Sequence, residues 1–256
     1  MIRLRLSSQL QVRIGTRRLA AVAVFAAVYA VLNLIPVSRL VGSVTFLSMG
    51  NVFSPLAGMV LGPAVGGLSI FVGTFVSFAL GKTVAFDGFD FIPGVVAAIT
   101  AGFAIKGRIA PTVVLSAFLY AVYFLDPVSL PFVQVGSFPV PFLWMHMLSA
   151  VFFVAVALLR RGAKGLVAQS VLVVSAVFVS TMNGHVAGSL MAENILFRLN
   201  HVIPSGGYAG YWTTVFALYP VERVFFTAVG SIIAIGVLKA LPPGTLKTLR
   251  RDPEDS

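Results

Sequence analysis

The chain of 256 residues contains no cysteine and few charged residues. Without a thiol it can form no disulfide, zinc–thiolate site, iron–sulfur cluster or cysteine nucleophile. Only 10% of its residues are charged and 58% are hydrophobic, whereas soluble domains carry about 25% charged residues. So few charges cannot cover the surface of a soluble fold of this length. Together with a mean hydropathy of +0.99, this scarcity indicates that lipid is the solvent for most of the chain.

Sequence motifs of nucleotide binding and hydrolysis are also missing. The glycine-rich segment 56–73 has no GK[ST], and the chain has no GxSxG or HExxH. We therefore predict that the chain is not an enzyme, has no catalytic residue, and binds no cofactor and no metal of its own. Two alternatives stay open: an intramembrane enzyme with His146 or His185 as base, and a metal site in which Glu193 or Glu222 joins those two imidazoles.

Eight apolar segments follow one another, each long enough for a spanning or nearly spanning helix. They cover residues 19–36, 44–62, 64–81, 91–106, 110–125, 141–159, 165–188 and 220–239. This pattern is typical of an all-α protein, a polytopic transmembrane bundle of about eight helices with a range of six to eight. We expect one bundle domain at 18–239, between a basic segment at 1–17 and a polar tail at 240–256.

The basic residues predict the orientation of this bundle. The net charge of +10 would suggest nucleic acid in a soluble protein, but these residues lie in short segments between apolar runs, so we predict no nucleic-acid partner. Fourteen of the 18 basic residues fall on one predicted side, and that side is cytoplasmic by the positive-inside rule. The other four are Arg39, Lys82, Arg198 and Arg223. Both termini are then cytoplasmic, and the chain is a multi-pass protein of the cell membrane.

Small residues mark two places where helices can approach closely. Gly62-Pro63 predicts a helix end and a tight turn, followed by a second helix packed against the first. Ala20, Ala23, Ala27 and Ala30 have spacings of three and four residues, which place them on one helix face. That face serves either internal packing or the docking of another membrane subunit.

Three features together resemble the substrate-binding S components of energy-coupling factor transporters. They are the segment RRLAAVAVFAAVYAVLNLIP, the polar loop after Pro36 and the hairpin SPLAGMVLGPAVGGLSIFVGTF, all within residues 17–106. The resemblance implies a subunit that captures a vitamin-sized molecule from outside. It implies transfer of that molecule to a transmembrane coupling subunit that works with two cytoplasmic ATPases. It also implies that Ala23 and Ala27 contact the coupling subunit. Members of that family usually have fewer helices than are expected here.

Polar residues concentrate at the predicted outer helix ends, whereas the inner half is apolar. This asymmetry favours capture from outside over the main alternative, a self-contained secondary transporter or channel, which needs polar groups at the membrane midplane. The candidate substrate-binding residues are Asn51, Lys82, Asp87, His146, Asn183, His185, Glu193, Glu222 and Arg223. Competing structural roles are a snorkelling Lys82, an Asp90 that caps the helix starting near Phe91, and an interhelical hydrogen bond of Asn183.

The last outer segment gives three further expectations. Pro220 predicts the start of the final helix. Arg223 lies just inside the outer boundary and needs a partner, such as Asp87, Glu193 or a ligand carboxylate. The loop 200–213 carries three aromatic residues that indicate interface anchoring, or alternatively a lid with glycine hinges at positions 206, 207 and 210. These aromatic residues are Tyr208, Tyr211 and Trp212.

Overall fold

The computed structural model describes residues 16–42, 46–160 and 165–241. Over these residues the chain is all-α, with eight α-helices and two short antiparallel hairpins. The helices are α1 Thr16–Asn33, α2 Gly50–Leu61, α3 Pro63–Ala79, α4 Phe91–Ala104, α5 Ile109–Leu125, α6 Trp144–Leu159, α7 Leu166–Met191 and α8 Tyr208–Ala240. The strands are β1 Pro36–Arg39, β2 Phe46–Ser48, β3 Phe132–Val135 and β4 Phe138–Pro141. The predicted segments 1–17 and 240–256 lie outside the described residues, except for two residues each.

Consecutive helices run in opposite directions, so the bundle has two distinct ends. The upper end holds both hairpins and the helix termini at Asn33, Gly50, Leu125 and Trp144. The lower end holds the tight turn at Gly62 and the start of α5.

The predicted tight hairpin is confirmed between α2 and α3. Gly62 has φ 85° and is the only residue between the two helices, a conformation that glycine adopts without strain. A Cβ on Gly66 would lie 2.7 Å from the Cα of Gly58, and one on Gly58 would lie 1.8 Å from the carbonyl oxygen of Ala98 in α4. The absence of side chains at these glycines therefore lets α2, α3 and α4 pack backbone to backbone.

Helix α1 packs against α3 through a face that only partly matches the predicted alanine stripe. Val22, Ala26, Tyr29 and Ala30 are buried, and a Cβ on Gly73 of α3 would lie 2.7 Å from the carbonyl oxygen of Ala26. Three of the predicted alanines instead face outward: Ala20, Ala23 and Ala27 are exposed. The internal-packing interpretation therefore holds for Ala30 alone.

Two predicted helix boundaries are wrong. The segment 44–62 does not form one helix, because residues 46–48 pair with β1 and α2 begins at Gly50. The final helix begins at Tyr208, twelve residues before Pro220, and Pro220 lies inside it. A proline inside a helix removes one hydrogen bond. The turns of α8 that precede Pro220 are held in the core by the buried side chains of Trp212 and Tyr219.

The early start of α8 also means that residues 208–213 are helical, which changes the roles expected for the aromatic residues and glycines of this segment. Tyr211 and Trp212 lie in the upper core, so they are not interface anchors. Tyr208 is half-buried and stacks on Phe197 with 4.5 Å between ring centroids. Gly210 is helical and is therefore not a loop hinge.

The core differs in chemistry between the two ends. The upper cluster is aromatic and includes Tyr123, Phe142, Trp212 and Tyr219. The lower cluster is mainly aliphatic and includes Leu56, Val173 and Val177. Two continuous helical stretches among the described residues, Leu166–Leu199 and Ser205–Ala240, are long and apolar enough to cross a membrane, while six other apolar helices are shorter. A core helix of a soluble protein can meet the same length and hydropathy test.

Candidate binding pocket

A pocket opens at the upper end, between the first hairpin and helices α4, α7 and α8. Its cavity volume is about 120 Å³. The hairpin contributes Arg39 and Phe46, the neighbouring helices contribute Asn51 and Gly94, and α7 and α8 close the far side. Five of the nine predicted binding residues line it: Asn51, Lys82, His185, Glu222 and Arg223.

The β1–β2 hairpin forms the roof of this pocket. The hydroxyl of Ser38 in β1 donates a hydrogen bond of 2.5 Å to the carboxylate of Glu222 in α8. A Cβ on Gly42, in the turn that follows β1, would lie 3.0 Å from Ile203 and 3.1 Å from Tyr211. The hairpin is therefore held to α8 and to the segment before it.

Lys82 lies where the hairpin meets the end of α1. Its Nζ donates to the carbonyl oxygen of Asn33 at 2.9 Å and lies 4.7 Å from the centroid of the Phe46 ring. Burial lowers the pKa of the Lys82 ammonium to about 8, and the nearby Asp90 carboxylate offsets part of that shift. The sequence suggests a snorkelling role for Lys82. In the structure, its ammonium group caps the C-terminal end of α1.

Asn33 itself is buried and links three elements. Its amide nitrogen donates to Ser77 in α3 at 2.8 Å, and its amide oxygen accepts from Ser48 in β2 at 2.6 Å. The Ser77 hydroxyl donates to the carbonyl oxygen of Thr74, so it can only accept from Asn33, and this fixes the orientation of the amide. Asn33 therefore holds the base of the hairpin to α1 and α3.

Arg223 is the buried cation of the pocket. Only 4% of its surface is exposed, and its nearest carboxylate is that of its own neighbour, Glu222, at 3.5 Å. Neither of the predicted protein partners, Asp87 or Glu193, pairs with it. Among the described residues, Nε of Arg223 has no hydrogen-bond partner. The guanidinium also lies 5.0 Å from the centroid of the Phe226 ring, a contact with the face of an aromatic ring.

Two histidines lie beside Arg223, and only one reaches the pocket. Nε2 of His146 is 2.9 Å from Nδ1 of His185, and the rings are stacked. His185 lines the pocket, whereas His146 lies behind it with 0% exposed surface. No group of three or more potential ligands that could hold a metal ion occurs among the described residues. The alternative of a metal site with Glu193 or Glu222 therefore has no geometric support.

The structure places the remaining predicted binding residues outside the pocket. Asn183 is fully buried and makes interhelical hydrogen bonds to Thr100 and Ser116, at 3.3 Å and 2.9 Å. Asp87 is exposed and accepts a hydrogen bond of 3.0 Å from Asn200. These contacts give Asn183 and Asp87 structural roles.

Glu193 also lies away from the pocket, beside the second hairpin. It is buried in a π-helical segment at 192–199 and accepts a hydrogen bond of 2.5 Å from Ser129. Asp126 and Arg198 form a salt bridge of 2.5 Å nearby. Glu193 is therefore part of a polar cluster that joins the segment between α5 and β3 to the π-helical segment after α7.

Asp90 lines the pocket and occupies the N-cap position of α4, but its carboxylate does not cap that helix. Instead its two oxygens accept from the backbone N–H groups of Ala85 and Phe86 at 2.8 Å and 2.9 Å. The expectation of a capping hydrogen bond is wrong. The carboxylate stabilises the loop before the helix.

Several lining residues were not predicted from the sequence. They are Tyr29, Asn33, Arg39, Ser48 and Trp212. Two of them, Arg39 and Ser48, belong to the strands β1 and β2 that form the roof, and the signal for these two was available in the short runs on either side of the loop after Pro36. Comparison of the chain with models of protein families, with curated proteins and with solved structures found no match, so the functional argument depends on the geometry of this pocket.

Proposed function

We propose that this protein is the substrate-capturing subunit of a membrane importer of the energy-coupling factor type. It binds a small molecule at its outer face and passes it to a transmembrane coupling subunit with two cytoplasmic ATPases. The observation that carries this proposal is a roofed polar pocket at the upper end, with the buried Arg223 in its wall and an apolar core beneath it.

The outer surface of the bundle supports its placement in a membrane. Large apolar side chains are exposed along the outward faces of several helices, including Phe118 of α5, Val151 of α6 and Ile232 of α8. From residue 19 onward, helices α1 to α7 contain no Asp, Glu, Lys or Arg. A surface of this kind is stable against lipid and is prone to association in water. The shortest helix, α2, is almost entirely buried in protein, so the bilayer thickness does not limit its length.

The distribution of polar groups supports capture over conduction. The pocket lies at the upper end, and the lower half of the core is filled by the mainly aliphatic cluster around Leu56, Val173 and Val177. An autonomous secondary transporter or channel needs polar groups along the full depth of the membrane. A capture subunit needs only an outer site and a partner that completes the path.

The proposed orientation can be tested with single cysteines, because the chain has none of its own. Ser205 is exposed at the upper end and Arg108 is exposed at the lower end. In intact cells, a membrane-impermeant maleimide should label Ser205→Cys and should label Arg108→Cys only after permeabilisation. The opposite result would invert the orientation, and labelling of neither position until the cells are permeabilised would contradict an upper end exposed outside the cell.

The partner can be tested by affinity purification of the tagged protein from its native membranes, followed by mass spectrometry. We expect a second helical membrane protein and two ATPases. Ala23→Trp on the exposed face of α1 should abolish their recovery, because a bulky ring prevents close helix approach. Ala117→Trp is the matched control, since Ala117 is exposed on α5. Recovery of this chain alone would refute the importer proposal and favour a self-contained transporter.

A further inference from the structure

We infer that the captured substrate carries a carboxylate group, and that Arg223 binds this group in the pocket. The inference rests on the proposed capture function and names the class of substrate. It depends on the shortage of hydrogen-bond acceptors around the Arg223 guanidinium and on the charges of the groups that surround it.

Arg223 has donors that the described protein does not use. A guanidinium has five N–H donors in a planar fork, and the only described acceptor for them is the Glu222 carboxylate at 3.5 Å. That separation is at the outer limit of a hydrogen bond. A buried charge without full pairing is costly. The side chain also lines the pocket, so an anionic group that enters the cavity would supply the missing acceptors.

The other charged groups that line the pocket are already engaged or lie at its edge. Both oxygens of Asp90 accept backbone N–H groups, and Lys82 donates to the carbonyl of Asn33. Glu222 accepts the hydroxyl of Ser38 in the roof, and Arg39 is exposed on β1. Arg223 is therefore the buried cation whose N–H groups are available to bind a ligand.

The charge balance of the lining favours a single negative charge on the ligand. Three basic and two acidic side chains line the cavity, which gives one net positive charge from the Lys, Arg, Asp and Glu side chains. A carboxylate neutralises this charge and matches the planar fork of arginine with two parallel hydrogen bonds. A phosphate dianion would leave the site with an uncompensated negative charge near Glu222 and Asp90.

The remaining lining suits a compact body with few polar groups. Trp212, Phe46 and Phe86 provide aromatic surface, while Asn51 and His185 provide hydrogen-bonding groups. Ligand pockets commonly combine an apolar wall with a few placed polar groups that set the orientation. We therefore expect a small cyclic monocarboxylate, with its carboxylate towards α8.

Trp212 provides the readout for a binding experiment. It is 1% exposed and lines the pocket, whereas the other tryptophan, Trp144, lies on the outer face of α6. In a Trp144→Phe background in detergent, fluorescence reports on the pocket alone. The probes are cyclohexanecarboxylate and its neutral isostere cyclohexanecarboxamide, neither of which absorbs at the excitation wavelength of tryptophan.

We expect the carboxylate to change the fluorescence of Trp212 with an affinity at least tenfold higher than that of the amide. Arg223→Gln should abolish this preference, and Arg223→Lys should retain only part of it, because lysine keeps the charge but loses the fork. Arg108→Gln, at the exposed lower end, is the control and should bind as the parent does. Arg223→Gln should unfold at the same temperature as the parent or higher, because it removes an incompletely paired buried charge.

Each contrary outcome has a distinct meaning. Equal affinity for carboxylate and amide would overturn the inference about substrate class and leave the capture proposal standing. Inorganic phosphate that competes as well as the carboxylate would overturn the assignment of a single charge. No response to any of the probes at millimolar concentration would count against capture at this pocket, and the inference would fall with it.

Discussion

The crossing of α2 and α4 depends on Gly58, and Gly58→Ala should destabilise the bundle. The added Cβ would lie 1.8 Å from the carbonyl oxygen of Ala98, and its three nearest atoms all belong to the backbone of Ala98 in α4. A carbon–oxygen contact this short forces one helix to move, because no rotamer change can relieve it. On its other side, α2 is in contact with α3 near Gly66, so it cannot move away freely.

The size of the effect follows from this geometry. Overpacking of a core usually costs about 1–3 kcal/mol, and a clash with backbone on one side and a packed helix on the other belongs at the upper end of that range. For a chain of this size, a loss of about 3 kcal/mol lowers the midpoint of thermal unfolding by roughly 6–12 °C. The pocket should be affected as well, because α2 and α4 contribute Asn51 and Gly94 to its wall.

Thermal unfolding of the detergent-solubilised protein, followed by intrinsic fluorescence, measures this effect. Gly236→Ala is the matched control, because a Cβ at this position in α8 meets nothing within 4 Å. In a helix interior, the change from glycine to alanine stabilises by roughly 0.5–1 kcal/mol, so the midpoint should rise slightly. A Gly58→Ala midpoint equal to or above that of the parent would refute the close approach of the two helices.

Three further predictions concern the pocket and its surroundings. Asn183→Ala should cost about 1–3 kcal/mol, because it removes the buried hydrogen bonds that the Asn183 amide donates to the hydroxyls of Thr100 and Ser116; an unchanged unfolding midpoint would contradict the network. Folding lowers the pKa of Lys82 from 10.5 to about 8. Between pH 8 and 10.5 the unfolded chain therefore binds more protons at this group than the folded protein does. The contribution of Lys82 to the free energy of unfolding should rise with pH in this range. Titration of the unfolding midpoint should show this rise and lose it in Lys82→Met. Ser38→Ala removes the hydrogen bond to Glu222 and should speed amide hydrogen exchange in residues 36–48; unchanged exchange would show that the roof is held by other contacts.

The fold was predictable to the extent that local pattern determines it. Eight apolar runs predicted eight helices, and Gly62-Pro63 predicted the tight turn, because helix length and helix ending depend on nearby residues. Pro220 misled the prediction, since the helix it appeared to begin had already started at Tyr208. The burial of Trp212 and Tyr219 stabilises those extra turns, and burial is not a local property.

The site was predictable in part, because polar residues in an apolar chain are conspicuous. Arg223 and His185 were identified by their chemistry alone, and both line the pocket. Asn183 has the same conspicuous character, yet its hydrogen bonds to Ser116 and Thr100 use it within the bundle. A sequence does not distinguish a polar group that a neighbouring helix satisfies from one that is left for a ligand.

By itself, the sequence determined that this chain is a bundle of about eight apolar helices and predicted candidate binding residues near one end of it. Composition and periodicity are enough for that, because each helix satisfies its own backbone. Only the tertiary structure decided that the paired strands β1 and β2 roof a pocket, and that Arg223 lies in its wall with donors that the described residues do not use. Those features depend on contacts between residues far apart in the chain, such as Ser38 and Glu222, and no local pattern encodes them.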